Sequence, residues 1–447
     1  MDGDDGQTSR RSRGDLSSLT DSSTSHCSYS YYERAVGEVS DGQPTSLRLL
    51  ESSQLPGGQT GIHRYDNAQI ASTDTPESMN TEAVLPVPSG YWSVLAVLEG
   101  RNGHSTSAWL RDNIVIAVSG ALADLYSRLY EASASRDRPP TPSPGDIDQT
   151  LKDTFKCLDR DIVYGSVDRA LFDPAPSAGV DMLAPAHSGS SALLSFYDSY
   201  SRNLHIALTG DSRAVLGRRT RNKDGEVVYQ VRVLSVEQDS SNLAEEYRLN
   251  ARHPGEAVVY NGRVLSGGPT RSFGDAMYKW DGDTRRRMQE ASIGGPTPPD
   301  VKTPPYLTAE PEVTSTTVQP GDFLIMGTRG MWDRLTSEEA VGLVGMWLDE
   351  QWRQRGGSGR KHVASPNDFL VAPLVDGARS YRSEDRNVAT HLLRNALNRG
   401  TGSEAIAGQG PSMTKCVHLR MLTTCPDAVH RSSVTATVVF FAEDQSP

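Results

Sequence analysis

The chain has 447 residues, a formal net charge of −11 and a mean hydropathy of −0.49. The negative charge argues against a nucleic-acid-binding surface and favours basic partners, and no apolar run is long enough to cross a membrane. The four scattered cysteines contain no CxxC pair, which predicts reduced thiols. The acidic N-terminus has neither the apolar region of a secretory signal nor the composition of a mitochondrial presequence, so we expect a cytoplasmic or nuclear location.

The composition divides the chain into a tail and one large domain. Residues 1–55 are rich in Ser, Asp, Thr, Gly and Arg, and we expect them to be a disordered tail. Length alone would allow two or three domains, but one large α/β domain with insertions over residues 56–447 fits the order of the motifs better. Segments rich in charge, Pro or Gly predict insertions near 134–146, 281–305 and 353–366.

The first half of the domain is predicted to begin with a strand and two helices. A lead punctuated by Pro and Gly ends in a strand at Tyr91–Leu98. Apolar residues then recur every three or four positions over 105–133 and again over Ile147–Val163, which gives each helix one buried stripe. Residues 165–187 are predicted to be a loop. The predicted stripes are Leu110, Ile114, Val118, Leu122, Leu125 and Leu129 in the first helix, and Leu151, Phe155, Leu158 and Ile162 in the second.

Short apolar runs between Ser190 and Gly217 predict buried antiparallel strands joined by tight hairpins. Gly210 supplies the backbone freedom that a sharp turn needs. Asp211 is thereby placed at the end of a strand, where its side chain can line a cleft.

The remaining elements alternate between strands and helices. Strands are predicted at 225–234 and at Val434–Phe441, whose β-branched residues are typical of a central strand. Helices are predicted at Leu243–Arg252, at Ser337–Asp349 with Thr336 as its cap, and at Tyr381–Arg399. Hairpin connections between strands indicate an α/β (α+β) sandwich of two packed antiparallel β-sheets flanked by α-helices.

Five segments in a fixed order carry a family resemblance. They are the hairpin region with GDSR at 210–213, EGRNG at 99–103, LSVEQ at 234–238, TRSFGD at 270–275 and FLIMGTRGMWDRLTSEE at 323–339. The chain resembles the metal-dependent protein Ser/Thr phosphatases, the PPM or type 2C family, over roughly residues 60–442. Its layout, including NVATHLLRNALN at 387–398, is most similar to the pyruvate dehydrogenase phosphatase branch. Members of that branch are mitochondrial, so the resemblance keeps that location open.

In this family, converging carboxylates hold two Mg²⁺ or Mn²⁺ ions that activate a water molecule and neutralise the phosphate. The resemblance places Glu99-Gly100-Arg101 at the family's DGH motif, where Arg101 replaces a histidine. It places Arg329 at the first Asp of DGxWD. The other departures from the family's acidic pairs are Ser78, Ser432 and Ser433.

Three acidic residues remain at family positions, namely Asp211, Asp275 and Asp333. The resemblance assigns Asp211 and Asp333 to a weak auxiliary metal position rather than to the bridging pair. Because carboxylates are lost and Arg329 adds a permanent positive charge, we predict that the dinuclear site is abolished and that no metal cofactor is required.

Three functions remain open at this point. The first is a non-catalytic pseudophosphatase that regulates or scaffolds a protein partner. The second is a repurposed, metal-independent enzyme, with Glu99, Arg101 and Arg329 as candidate catalytic residues, acting on a small anionic ligand in a cleft made positive by the two arginines. The third is a residual phosphatase that uses Mg²⁺ or Mn²⁺ with Glu99 and Asp333.

Overall fold

The computed structural model describes residues 32–36, 47–71, 76–132, 141–172, 176–223, 225, 227–256, 258–260, 263–264, 267–293, 301–354, 370–371, 385–397 and 433–442. The strands within these ranges form two main antiparallel sheets. The strands are β1 Tyr32–Val36, β2 Leu47–Gln54, β3 Ile62–Ala71, β4 Met79–Val87, β5 Gly90–Arg101, β6 Gly189–Asp198, β7 Asn203–Thr209, β8 Arg213–Arg221, β9 Val227–Val233, β10 Val259–Tyr260, β11 Arg263–Val264, β12 Phe273–Gly274, β13 Glu312–Thr317, β14 Phe323–Gly327, β15 Leu370–Val371 and β16 Val434–Phe441. The helices are α1 Ser105–Ala132, α2 Pro144–Tyr164, α3 Val167–Phe172, α4 Pro176–Met182, α5 Ala184–His187, α6 Leu243–Arg252, α7 Gly282–Glu290, α8 Arg329–Trp332, α9 Ser337–Gln354 and α10 Val388–Leu397.

The first sheet has the strand order β1-β2-β3-β16-β14-β8-β9-β15. The second has the order β13-β7-β6-β5-β4, and β12 pairs with β6. Each of these pairings is antiparallel. Helices α1 and α2 cover the outer face of the second sheet, and α9 and α10 cover that of the first. The predicted sandwich is therefore confirmed.

Both faces of each sheet are buried, because successive side chains of a strand point alternately to the other sheet and to the covering helices. In β5, Leu95 and Val97 point into the core between the two sheets, whereas Val94 and Leu98 point towards α1 and α2. A strand buried on both faces reads as a continuous apolar run rather than an alternating one. In β14, Ile325 likewise faces the helices, and Leu324 faces the second sheet.

The apolar stripes predicted for the first two helices pack on the second sheet. Leu110, Ile114, Val118 and Leu122 of α1 have no solvent exposure, and Leu151 and Phe155 of α2 are equally buried. Ser143 caps α2 by accepting a hydrogen bond from the backbone of Asp146. Both helices thus begin and end within a few residues of the predicted limits, because spacing and capping are local signals.

Residues 165–187, predicted to be a loop, instead contain α3, α4 and α5. Their apolar residues Val167, Leu183 and Ala186 pack around Trp280, whose indole nitrogen donates a hydrogen bond to the carbonyl of Val163 at 2.9 Å. The prediction was wrong because each helix is too short to show a periodic pattern. Contact with Trp280, which lies much later in the sequence, stabilises α3 and α5.

The prediction that residues 1–55 form a disordered tail is also wrong in part, because this range contains β1 and β2. Strand β2 pairs with β3 from Arg48 to Gln54, and β1 pairs with β2. Strands β3 and β4 occupy most of the segment expected to be an irregular lead. Polar residues such as Ser52 and Asn67 lie on these strands, so composition concealed them.

Of the three predicted insertions, 281–305 contains α7, which is capped by Asp281. Most of 134–146 lies outside the described residues, although its last residues begin α2, and residues 355–366 of the third lie outside them as well. Helix α10 begins at Val388, seven residues after the predicted start at residue 381.

Candidate functional site

The candidate site lies where ends of strands from both sheets meet. Glu99 is near the end of β5 in the second sheet, Asp211 follows β7 in the same sheet, and Arg329 begins α8 directly after β14 of the first sheet. The backbone N–H of Arg329 donates to Oε2 of Glu99 at 3.1 Å. The hydroxyl of Ser212 lies 3.4 Å from the same oxygen. The predicted proximity of Glu99 and Arg329 is therefore present in the structure.

The turn that positions Asp211 depends on Gly210, as the sequence suggested. Gly210 has a φ of +116°, and a Cβ atom there would lie 2.2 Å from the hydroxyl of Ser191. That hydroxyl donates to Oδ1 of Asp211 at 3.0 Å. The glycine thus lets β6 approach the turn closely enough to orient the carboxylate.

The guanidinium of Arg329 lies among three carboxylates. Its nitrogens are 3.2 Å from Oδ2 of Asp211, 3.5 Å from Oδ2 of Asp239 and 3.6 Å from Oδ2 of Asp333. About half of the side chain, 48%, is exposed. A positive group supplied by the chain itself therefore occupies the point at which these acids converge.

The electrostatics of this group follow from its surroundings. Burial alone would lower the pKa of Arg329, but the charges of Asp211, Asp333 and Asp239, together with the hydrogen bond to Asp211, outweigh burial and raise that pKa. Burial and the nearby charge of Asp211 raise the pKa of Glu99 to about 8, although hydrogen bonds from Arg329 and Ser212 oppose the shift. Glu99 therefore holds its proton at neutral pH.

The serines at family metal positions contact each other. The backbone N–H of Ser78 donates to the hydroxyl of Ser433 at 3.1 Å, and the hydroxyl of Ser78 lies 3.4 Å from the carbonyl of Ser433. Both residues are buried. Ser432 lies outside the described residues. A pair of serines bonded in this way offers no carboxylate to a cation.

Gly100 has a packing role at this place. Its N–H donates to the carbonyl of Glu77 at 3.1 Å, and a Cβ atom would lie only 2.2 Å from that oxygen. The glycine allows the backbone before β4 to lie against the end of β5. This contact brings Ser78 close to the strand that carries Glu99.

Arg101 lies in a different environment from Arg329. Its guanidinium forms an ion pair with Asp275, which also accepts a hydrogen bond from the hydroxyl of Ser272 at 2.7 Å. Asp275 is buried, with a left-handed φ of 49°. Of the three retained acids, Asp211 and Asp333 contact Arg329, whereas Asp275 contacts Arg101.

A cavity of about 470 Å³ opens beside Arg329. Four of its lining residues are acidic, namely Asp211, Glu237, Asp239 and Asp333, and two are basic, namely Arg213 and Arg329. With four negative and two positive side chains, this lining has a formal charge of −2. The expectation that Arg101 and Arg329 make the cleft positive is therefore wrong for this cavity. Arg101 pairs with Asp275 and does not line the cavity, and the four acidic side chains outnumber Arg329 and Arg213.

Sequence reasoning missed Asp239, Glu237 and Arg213 as members of the site. Glu237 lies within the family-like segment LSVEQ, and Asp239 follows that segment directly. The guanidinium of Arg213 pairs with Glu237 and lies over the ring of Trp332. The sequence signal that could have assigned these residues to the site was their position within or directly after a family-like segment.

The arrangement suits a metal ion poorly. Across the part of the chain that the structure describes, no group of three or more His, Cys, Asp or Glu side chains is arranged to hold a metal. The acids that do converge are already neutralised in part by Arg329.

Among the residues that the structure describes, no helix has both the length and the apolar character required to cross a bilayer.

Comparison with known proteins places this chain in a family. The family model described as protein phosphatase 2C matches residues 77–404. A protein phosphatase 2C homolog of Schizosaccharomyces pombe is 35% identical over 409 residues, covering 90% of this chain and 86% of the relative. The mitochondrial [pyruvate dehydrogenase [acetyl-transferring]]-phosphatase 1 of Saccharomyces cerevisiae is 32% identical over 439 residues, covering 90% and 72%.

Among solved structures, a serine-threonine phosphatase 2C from Toxoplasma gondii aligns with 92% of this chain and 99% of its own, at 15% identity and a TM-score of 0.48. The matched family model covers well over half of the chain, and the fission-yeast relative is similar over nearly its full length. On this evidence the chain belongs to the protein phosphatase 2C family.

Proposed function

We propose that this member of the family lacks dinuclear-metal phosphatase activity and acts as a regulator or scaffold of a protein partner. One observation carries the proposal. The guanidinium of Arg329 lies within 3.2 to 3.6 Å of three carboxylates at a position where the family places a metal ligand. A protein that fills this position with its own cation has no need of an external one.

The size of the charge effect supports the proposal. Two unit charges 4 Å apart interact by about 4 kcal/mol at an effective dielectric constant of 20, and a dication beside Arg329 doubles the repulsion. A metal ion at this point also has to displace Arg329 from Asp211. Both costs oppose binding, and the contact between Ser78 and Ser433 offers no compensating charged ligand.

A repurposed, metal-independent enzyme is the second candidate, favoured by Glu99. A carboxyl group with a pKa of about 8 is protonated at neutral pH and can donate a proton as a general acid. The negative lining of the cavity supports a cationic or neutral substrate better than the anionic one expected from the sequence.

A residual Mg²⁺- or Mn²⁺-dependent phosphatase is the third candidate, favoured by the four acidic residues that line the cavity. The two yeast relatives bear phosphatase names and cover most of this chain. In this candidate the half-exposed side chain of Arg329 turns away from Asp211 and leaves Asp333 and Glu99 to the metal.

The three candidates are separated by measuring metal binding and turnover on the same purified protein. We expect no hydrolysis of an aryl phosphate or a phosphothreonine peptide above background with Mn²⁺ or Mg²⁺. We also expect no heat of Mn²⁺ binding by calorimetry and a melting temperature that Mn²⁺ leaves unchanged. Metal-dependent turnover by the natural chain contradicts the proposal and supports the residual phosphatase, whereas metal-independent turnover lost in Glu99→Gln supports the repurposed enzyme.

The variant Arg329→Asp tests directly whether Arg329 excludes a metal ion from the site. This change removes the internal cation and adds a fourth carboxylate beside Asp211, Asp239 and Asp333. We expect the variant to bind Mn²⁺, and a ligand at one hundred times its dissociation constant then stabilises the fold by about 2.7 kcal/mol. The matched control is Arg353→Asp on α9, where the arginine pairs with Glu350. A variant Arg329→Asp that binds Mn²⁺ no better than this control shows that Arg329 is not what excludes the metal.

A further inference from the structure

Three large apolar side chains are exposed on one side of the candidate site. Leu243 and Tyr247 of α6 are 77% and 78% exposed, and Val236, in the segment before the helix, is 60% exposed. Leu243 and Tyr247 are four residues apart, so they lie on the same face of α6. We call these three residues the α6 surface.

The α6 surface adjoins the acidic cavity. Val236 and Leu243 line that cavity together with Glu237, Asp239 and Asp333. The side chain of Asp333 is 61% exposed, so the negative charge reaches the rim. An exposed apolar face and a cavity of charge −2 therefore form one continuous surface.

We propose that the α6 surface binds a segment of a partner protein that carries an Arg or Lys flanked by large apolar side chains. The basic side chain enters the acidic cavity, and the apolar side chains cover Val236, Leu243 and Tyr247. The inference rests on the proposed function, since a regulator without metal chemistry acts through binding.

Charge complementarity selects this partner over an acidic or neutral one. The cavity retains a net negative charge after Arg213 and Arg329 are counted, so a further cation is attracted and an anion is repelled. The contacts of Arg329 with Asp211 and Asp239 show that carboxylates of the cavity lining bind a guanidinium. The cavity volume of about 470 Å³ is within the range of sites that take small ligands.

The apolar residues supply the second half of the recognition. A leucine and a tyrosine exposed side by side are well suited to act as anchors, because both bury a large area and tyrosine is enriched where interfaces concentrate their binding energy. The cavity alone would attract any polycation. The adjoining apolar face adds a preference for basic segments that also contain large apolar residues.

The test uses the purified full chain and three fluorescein-labelled dodecapeptides read by fluorescence anisotropy without metal. One peptide alternates Arg with Leu, the second alternates Glu with Leu, and the third alternates Arg with Ser. We expect the Arg/Leu peptide to bind at least 10-fold more tightly than either of the others, and to weaken by about 10-fold between 50 mM and 500 mM salt.

Variants locate the binding. Leu243→Ser with Tyr247→Ser, and separately Asp333→Asn, are each expected to weaken binding of the Arg/Leu peptide by about 10-fold. All three side chains are more than half exposed, so these changes leave the core intact. The matched controls are Ile116→Ser on α1, where the side chain is 73% exposed, and Asp112→Asn, where it is 62% exposed; neither is expected to alter binding.

Several outcomes overturn the inference. Equal binding of the Arg/Leu and Glu/Leu peptides removes the charge preference, and equal binding of the Arg/Leu and Arg/Ser peptides removes the apolar one. Unchanged affinity in the α6 variants places the binding elsewhere. Self-association of the full chain that Leu243→Ser abolishes, measured by sedimentation, assigns the surface to a second copy instead. Phosphatase activity contradicts the proposed function but leaves the peptide result standing, so the two failures are distinguishable.

Discussion

At the scale of single residues, Arg329 changes what the site requires. Three carboxylates at one place repel each other unless a cation lies between them. Here the guanidinium of Arg329 contacts Asp211, Asp239 and Asp333. Under the proposed function, Arg329 therefore supplies the positive charge that these three carboxylates need. Protonation of Glu99 removes a further charge from the same cluster.

The protonation of Glu99 predicts a pH dependence of stability. The folded pKa of about 8 lies above the ordinary value of 4.5, so the folded protein binds the proton more tightly than the unfolded chain. Wild-type stability therefore decreases as pH increases from about 4.5 through 8, by about 1.4 kcal/mol for each unit at most. Glu99→Gln cannot ionise, so its stability relative to wild type is expected to increase over the same range and to level off above pH 8.

Urea unfolding of Glu99→Gln and wild type at several pH values from 5 to 9 checks this. Glu290→Gln, whose side chain is 63% exposed, is the matched control and is expected to show no such trend. A stability difference between Glu99→Gln and wild type that stays constant from pH 5 to 9 contradicts the shift.

Glu245 behaves in the opposite way. Burial alone would raise its pKa, but hydrogen bonds from Arg271, Arg248 and Thr270 outweigh burial and lower it to about 2. The resulting stabilisation is complete above the ordinary pKa of 4.5 and is lost as pH falls towards 2. The shift corresponds to about 3 kcal/mol at neutral pH. Glu245→Gln is therefore expected to destabilise the fold by about 3 kcal/mol at pH 7 and by less as pH falls below 4.5.

Guanidinium chloride unfolding at pH 7 and pH 4 measures the effect of Glu245→Gln. The control is Asp283→Asn, because its ion pair with Arg286 is exposed and such pairs contribute little. If Glu245→Gln costs no more than that control at pH 7, the buried network does not stabilise the fold in this way.

At the scale of elements, local signals set where helices begin. Thr336 accepts a hydrogen bond from the backbone of Glu339 at 3.1 Å, and Oε2 of Glu339 accepts one from the backbone of Thr336 at 2.9 Å. This reciprocal arrangement is a capping box, and it starts α9 at Ser337 as the sequence predicted. The position of α9 matters for the site, because α9 follows α8, which begins at Arg329 and is followed directly by Asp333.

Thr336→Ala is expected to remove this cap and to destabilise the fold by about 1 kcal/mol, since the hydrogen bond from the backbone of Glu339 to the threonine hydroxyl is lost. Thr336→Ser retains the hydroxyl and is expected to stay within about 0.5 kcal/mol of wild type. Urea unfolding compares the three proteins. Equal stability of the Ala and Ser variants contradicts a capping role for Thr336.

At the scale of the whole molecule, the site depends on two sheets being held together. Glu99 and Asp211 come from the second sheet and Arg329 from the first. The core between the sheets includes Leu95, Leu193 and Leu324, all nearly or fully buried. Strand β16, the last described strand of the chain, pairs with β3 on one side and with β14 on the other. Strand β14, which leads into α8 and Arg329, is therefore held in place by residues from the far end of the sequence.

Removal of β16 is expected to prevent folding. A chain that ends before Val434 loses eight buried residues from the middle of the first sheet. It also exposes the edges of β3 and β14. We expect such a chain to be insoluble or to lack a cooperative thermal transition by calorimetry. A chain that ends at Ala442 retains β16 and serves as the control; a cooperative transition in the shorter chain at a similar temperature contradicts the central role of β16.

The sequence by itself determined the elements with strong local signals and the family resemblance. Periodic apolar residues located α1 and α2, caps located α9, and alternation between strands and turns placed Asp211 at a strand end. Motif order indicated the sandwich and the positions of Glu99 and Arg329. Each helix, cap or turn signal involves residues that are close in sequence, and motif order is read along the chain, so no tertiary contact was needed to detect them.

Only the tertiary structure decided which charged side chains contact each other, the net charge of the cavity and the pKa of Glu99. The carboxylates of Asp239 and Glu237, absent from the sequence prediction, make the cavity negative rather than positive. The raised pKa of Glu99 depends on burial between two sheets. The packing of the short helices α3 and α5 depends on Trp280. Contacts between distant segments and burial are properties of the packed chain, and electrostatic energies change strongly with both, so no local pattern specifies them.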